Sequence, residues 1–128
     1  MIVSLHVATG AAAGALVRSR PAALLLGPVL HVAADMVRHE DIPDLAFETG
    51  SGLAALALLA ARRGALDPAV LGGATAAAPD LEHVLPFLRP GGRKLFHRGE
   101  QEGGGISTDA QLLLAGAIVG FLLGRRRA

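Results

Sequence analysis

Two stretches of this chain, Ala22–Leu30 and Leu112–Leu123, carry no charged residue on any helical face. A helix at a water-exposed surface needs a polar stripe opposite its buried one, and neither stretch supplies it. The same apolar character defines five segments: residues 2–17, 21–38, 51–61, 68–79 and 108–124. Each is shorter than the roughly 20 residues that cross a bilayer comfortably. Short spans are workable where flanking side chains snorkel or the bilayer thins locally. The apolar mass is Ala and Leu with 17 Gly, in a sequence that is 52% hydrophobic, and small side chains suit close helix packing in lipid. The expected fold is all-α, a compact bundle of about five short transmembrane helices forming one domain over residues 1–128. A soluble Ala-rich bundle is the rival reading.

The connections set the topology. Arg18-Ser19-Arg20, Arg62-Arg63 and Arg125-Arg126-Arg127 follow the first, third and fifth segments. Acidic and His-rich stretches follow the second and fourth. The positive-inside rule then puts the Arg clusters in the cytoplasm and the N-terminus outside, as in a multi-pass protein of the cytoplasmic membrane. Residues 1–17 lack a positive n-region and read as a retained helix rather than a signal peptide. Residues 80–107 form a long extracytoplasmic loop. In it Asp80–Leu85 is a short helix closed by Pro86, Pro90-Gly91-Gly92 is a turn, and Gly103-Gly104-Gly105 is a joint before the last span. Ser107 or Thr108 is the expected cap of that span. The absence of cysteine excludes disulfides, thiolate metal sites and Cys nucleophiles. A net charge of +1, with no basic run among aromatics, gives no sign of nucleic-acid binding. The expected partners are the lipid bilayer and a small-molecule or lipid substrate, and a homo-oligomer is left open.

All five histidines and ten of the eleven carboxylates fall on the side opposite the Arg clusters. They gather in two groups, His31-x-x-x-Asp35-x-x-x-His39-x-Asp41 and Pro79-Asp80-Leu81-Glu82-His83. On a continuous helix His31, Asp35 and His39 make one stripe, the outer two about 12 Å apart. The stripe therefore holds either one ion at His31 and Asp35 with His39 in support, or two in a row. His6 and His31 each lie roughly 17 Å from the Arg face, so the two can meet at one level. Asp80 and His83 reach a similar level, and His97 can close the layer from the loop. His6, His31, Asp35, His39, Asp80, His83 and His97 are thus the candidate ligands of a divalent metal. Zinc is the first expectation for this donor set, with manganese or iron as alternatives. An ionisable pair inside an apolar segment is costly and marks function by default. The plainer readings are a self-satisfied His–Asp pair, a solvated helix end at His39–Asp44, and an N-cap at Asp80.

The pattern His6-Val7-Ala8-Thr9-Gly10, His31 to Asp41, Pro79 to His83 and Phe96-His97 resembles small prokaryotic membrane proteins akin to the membrane-bound metal-dependent hydrolases. That group carries Pro-Asp-x-Asp-His, His-Arg-Gly-x-Thr-His-Ser and His-x-x-x-Asp. Here the order of the first and last motifs is reversed, Glu82 replaces an Asp, and Glu100-Gln101-Glu102 replaces Thr-His-Ser. The resemblance implies metal-dependent hydrolysis, expected to act on a phosphoester, with a lipid-linked one among the candidates. Glu82 or Asp41 would serve as general base, and Arg93, Lys94 or Arg98 would hold substrate phosphate. Two other classes stay open: a non-catalytic metal-binding or metal-transport membrane protein, and a structural or assembly protein whose His/Asp layer is a hydrogen-bonded lock.

Overall fold

The computed structural model describes residues 1–97 and 103–125. Five longer helices form the bundle: α1 (Val3–Val17), α2 (Arg20–Asp35), α3 (Leu45–Arg63), α4 (Pro68–Ala77) and α6 (Thr108–Gly124). A single turn, α5 (Leu81–Val84), follows α4 through a 3-10 turn at Ala78–Asp80. No strand occurs among the described residues. His39 and Ile106 alone form an isolated parallel bridge.

The all-α expectation is met, and local chemistry explains most boundaries. Asp44 caps α3, its Oδ1 accepting from the backbone N–H groups of Ala46 (3.0 Å) and Phe47 (3.1 Å), so this helix starts six residues before the apolar segment. Asp67 caps α4 by accepting from Ala69 N–H at 2.9 Å, with Pro68 at the first helical position. Ser107 caps α6, its hydroxyl accepting from Ala110 N–H at 3.3 Å.

The helix α1 is the hub, and it touches α2, α3, α4 and α6. Its closest partner is α4, because both present glycine at the crossing. A Cβ on Gly10 would lie 2.3 Å from the Gly72 carbonyl oxygen, and one on Gly72 would lie 2.3 Å from that of Gly10. Only glycine permits this backbone-to-backbone approach. Leu5, Val7, Ala8, Ala11, Leu59, Val70 and Val119 fill the core around it.

The stripe expectation is corrected in one respect. The helix α2 ends at Asp35, so His39 does not continue its face. Instead the backbone of Arg38–Glu40 pairs with the distant stretch before α6: Ile106 N–H donates to Arg38 O (3.0 Å), Glu40 N–H to Ile106 O (3.0 Å) and Gly103 N–H to His39 O (2.9 Å). Gly105, at φ 84°, makes this pairing possible, since a Cβ there would meet the Arg38 carbonyl at 2.1 Å.

Among the described helices only α3, with 19 residues and a mean hydropathy of 1.2, is long and apolar enough to cross a membrane. The helices α1 and α6 are apolar but shorter.

Candidate metal centre

The site forms where α1, the end of α2, the turn after α4 and the 95–97 stretch meet. Asp35 is its centre. Its Oδ2 lies 3.1 Å from His31 Nε2 and 3.4 Å from His97 Nε2, and the two Nε2 atoms lie 3.1 Å apart. Asp80 adds a fourth group, its Oδ1 lying 3.3 Å from His97 Nε2. His31, Asp35 and His97 are buried, and Asp80 is nearly so.

Each imidazole has its other nitrogen occupied, and that fixes its chemistry. His31 Nδ1–H donates to the Ala76 carbonyl at 2.8 Å. His97 Nδ1–H donates to Glu82 Oε1 in a very short contact. In neutral rings both Nε2 atoms are then lone-pair acceptors, and they face two carboxylates. With both rings neutral, no proton lies between these groups. Asp35 Oδ2 and Asp80 Oδ2 have no hydrogen-bond partner among the described residues, although both atoms are buried. Such atoms are costly unless something positive lies between them. A tetrahedral zinc ion, with bonds of about 2.0 Å to nitrogen or oxygen, separates its ligands by about 3.3 Å. The separations of 3.1, 3.1 and 3.4 Å among His31 Nε2, His97 Nε2 and Asp35 Oδ2, and of 3.3 Å from His97 Nε2 to Asp80 Oδ1, are near that spacing, and His31, Asp80 and His97 form a group of three that could hold a metal ion. Ligating histidines ordinarily donate their second N–H to a carboxylate or a carbonyl, as both do here.

The remaining predicted residues surround this set. His6 stacks on His31 with ring centroids 4.0 Å apart, and its Nε2–H donates to Asp35 Oδ1 at 3.1 Å. It also belongs to a second group of three, with His31 and Asp35, that could hold an ion. His83 does not join the donor set. It lies edge-on to His97 with centroids 4.1 Å apart. Burial is the main cause of a lowered pKa at this ring, and the charge of nearby Lys94 adds to it. His39 is buried, its Nδ1–H donating to Val37 O at 2.6 Å and its Nε2 lying 3.3 Å from Asp41 Oδ1. The Met1 nitrogen sits between Asp35 Oδ1 (2.7 Å), Asp41 Oδ1 (3.7 Å) and His39 Nε2.

Glu82, the expected base, has another task. Its side chain is buried and accepts from Leu95 N–H at 2.8 Å, from His97 N–H at 3.2 Å and from the His97 ring. Burial alone would raise its pKa, but these hydrogen bonds outweigh it and bring the group down to about 2. Glu82 therefore ties the 95–97 stretch to α5 and sets the His97 tautomer. Asp41 stays half-exposed at the rim. Lys94 lines a neighbouring cleft, Arg93 is exposed and Arg98 lies outside the described residues.

Sequence reasoning missed Gln111. It is fully buried, its Nε2 donating to Glu40 O (2.7 Å) and Ile106 O (3.2 Å), and its Oε1 accepting from Ile2 N–H (3.1 Å). It pins the post-α2 segment and the start of α1 onto α6. A lone Gln after an N-cap carries no sequence signal beyond being polar at the head of an apolar run. No protein-family model, curated protein or solved structure matches this chain.

Proposed function

We propose that this chain is a membrane-embedded, metal-dependent hydrolase acting on a phosphoester, with His31, Asp35, Asp80 and His97 as the ligands of a divalent ion, zinc by preference. The convergence of four acceptor groups, two of them with buried orphan oxygens, carries the metal reading. The ion would supply Lewis acidity and a more acidic bound water. The protein supplies the rest. Glu82 and the Ala76 carbonyl orient the two imidazoles, His6 steadies Asp35, and Asp41 at the rim would take up a proton. Lys94, with Arg93 and Arg98, supplies positive charge for a phosphate.

Membrane embedding is supported by the outward faces of the bundle. Leu25 and Val29 on α2, Leu58 on α3, and Leu113 and Phe121 on α6 are all more than half exposed. Exposed apolar surface of this extent suits lipid or a partner rather than water. The likeness to the membrane-bound metal-dependent hydrolases points the same way.

The test is elemental analysis of the purified protein beside an Asp35→Ala variant, followed by a screen with generic phosphomonoesters and phosphodiesters. The expected result is stoichiometric metal that the variant loses, with hydrolysis lost in parallel. A metal-free protein whose stability ignores chelator would overturn the reading in favour of a hydrogen-bonded lock. A second reading, a non-catalytic metal centre, is favoured by the burial of His31, Asp35 and His97, because closed four-ligand sites are typically structural. Bound metal without turnover on any phosphoester would select it.

A further inference from the structure

A groove of about 790 Å³ lies at the arginine end of the bundle. It runs between α1 and α6, with Ala12, Ala15 and Leu16 on one side and Ala117, Ile118 and Phe121 on the other. Leu16 and Phe121 are largely exposed, so the groove is open to a ligand. Three guanidinium groups line it, those of Arg18, Arg63 and Arg125. Arg63 is committed, since it donates to Asp67 Oδ1 and to the Leu122 carbonyl. Asp67 is the one carboxylate among the lining residues, and this pair cancels its charge. Arg18 and Arg125 are not committed. Neither side chain makes a hydrogen bond or ion pair among the described residues, and Arg125 only lies over the Phe121 ring, 5.2 Å from its centroid. Arg18 also stands at φ 54°, the one positive φ outside glycine among the described residues. The left-handed end of a helix ordinarily takes glycine, and a side chain there is strained. The chain holds 17 glycines and still places an arginine at this point. An outlier of this kind points to function.

We infer that this groove binds a single-chain alkyl phosphomonoester, its chain lying between α1 and α6 and its phosphate held by Arg18 and Arg125. Charge selects the head. Two uncommitted guanidinium groups balance a head of about two negative charges, which a phosphomonoester carries above neutral pH. Each planar guanidinium can donate two parallel N–H bonds to phosphate oxygens. A head carrying an ammonium would bring it against both arginines. The volume is that of a small-ligand site, and the apolar walls cover one chain. The groove lies about 18 Å along α1 from His6, so its occupancy requires neither the metal nor hydrolysis.

The test is binding of alkyl phosphates from butyl to dodecyl, each below its micellar concentration, to the full chain at pH 8 in one nonionic detergent. A photoreactive decyl phosphate locates the site, and its crosslinks should fall on residues 12–18 and 117–125. Affinity should rise by up to about fourfold per methylene, the ratio given by burying one CH2, until the groove is full. Ala117→Phe should flatten that series, and because Ala117 is exposed the variant keeps its fold. Alkyltrimethylammonium ions of equal length should bind at least tenfold more weakly, and Arg18→Gln combined with Arg125→Gln should erase that preference. Arg18→Gly separates recognition from scaffolding: the Tm should stay level or rise while phosphate affinity falls at least fivefold. Chelation should change none of these values, so failure here is distinct from failure of the metal centre. Crosslinks elsewhere, or an affinity that the arginine and Ala117 variants leave intact, would overturn the inference. So would a diacyl phosphate lipid labelling the groove in preference to the single-chain probe, or a dimer that closes the groove before any ligand is added.

Discussion

The two ends of this bundle treat their polar groups in opposite ways. At the arginine end each described contact pairs a donor with an acceptor. Arg20 Nε donates to Leu66 O (2.9 Å), Arg62 Nε to Leu123 O (3.2 Å), and Arg63 to Asp67 Oδ1 (3.1 Å) and Leu122 O (3.4 Å). Two of these carbonyls belong to the last turn of α6, where guanidinium groups satisfy free acceptors and oppose the negative end of the helix dipole. At the histidine end acceptors face acceptors, and buried oxygens are left without a donor. The first set of contacts is complete as protein. The second leaves buried acceptor oxygens that a cation could satisfy, and that contrast separates the two ends.

The sharpest way to break the contrast is to remove Asp35. Structural zinc binds with about 10–16 kcal/mol over four ligands, so roughly 3 kcal/mol per donor. Asp35→Ala should therefore weaken metal binding by two orders of magnitude or more, measured by competition with a chelating dye. Retention of wild-type affinity would dissolve the proposed centre.

Glu82→Gln should act less strongly, through His97. Loss of a group that orients a ligand typically costs 10–100-fold in metal affinity. The same residue governs acid stability. Folding lowers Glu82 from the usual 4.5 to about 2, so the unfolded chain takes up the proton first. The stabilisation is complete above about pH 4.5 and disappears as the pH falls towards 2, in all about 3 kcal/mol. Denaturation of metal-free protein across that window should show the slope, and Glu82→Gln should flatten it.

Gly10→Ala tests whether the centre depends on the scaffold. Its Cβ would meet the Gly72 carbonyl, and overpacking of this kind costs about 1–3 kcal/mol, visible as a lower Tm together with weaker metal binding. The smallest effect belongs to the other end. Arg62→Ala should lose about 1 kcal/mol or less, the worth of one exposed contact to a helix terminus, with metal affinity unchanged. A matching loss of metal would show that the two ends are coupled.

The five-helix count and the one-sided gathering of His and Asp were legible because both follow from local pattern: apolar runs make helices, and ionisable residues inside them are rare. The Ser107 cap was legible for the same reason. The end of α2 was not, because it depends on Arg38–Glu40 meeting a segment more than sixty residues away. The separate tasks of Glu82 and His83 were not legible, since their spacing on one turn cannot say which of them hydrogen-bonds His97 and which only packs against it. The groove at the arginine end has no sequence signature, because its walls come from helices distant in sequence.

The backbone contact between Gly10 and Gly72 has a consequence for ion choice. Gly10 lies one turn from His6, and Gly72 lies about two turns from Asp80. The separation of α1 and α4 at this crossing is thereby transmitted along two stiff rods to the groups around Asp35. Two missing methyl groups act as a gauge, and the spacing of the groups that could hold a cation is set well away from any of them.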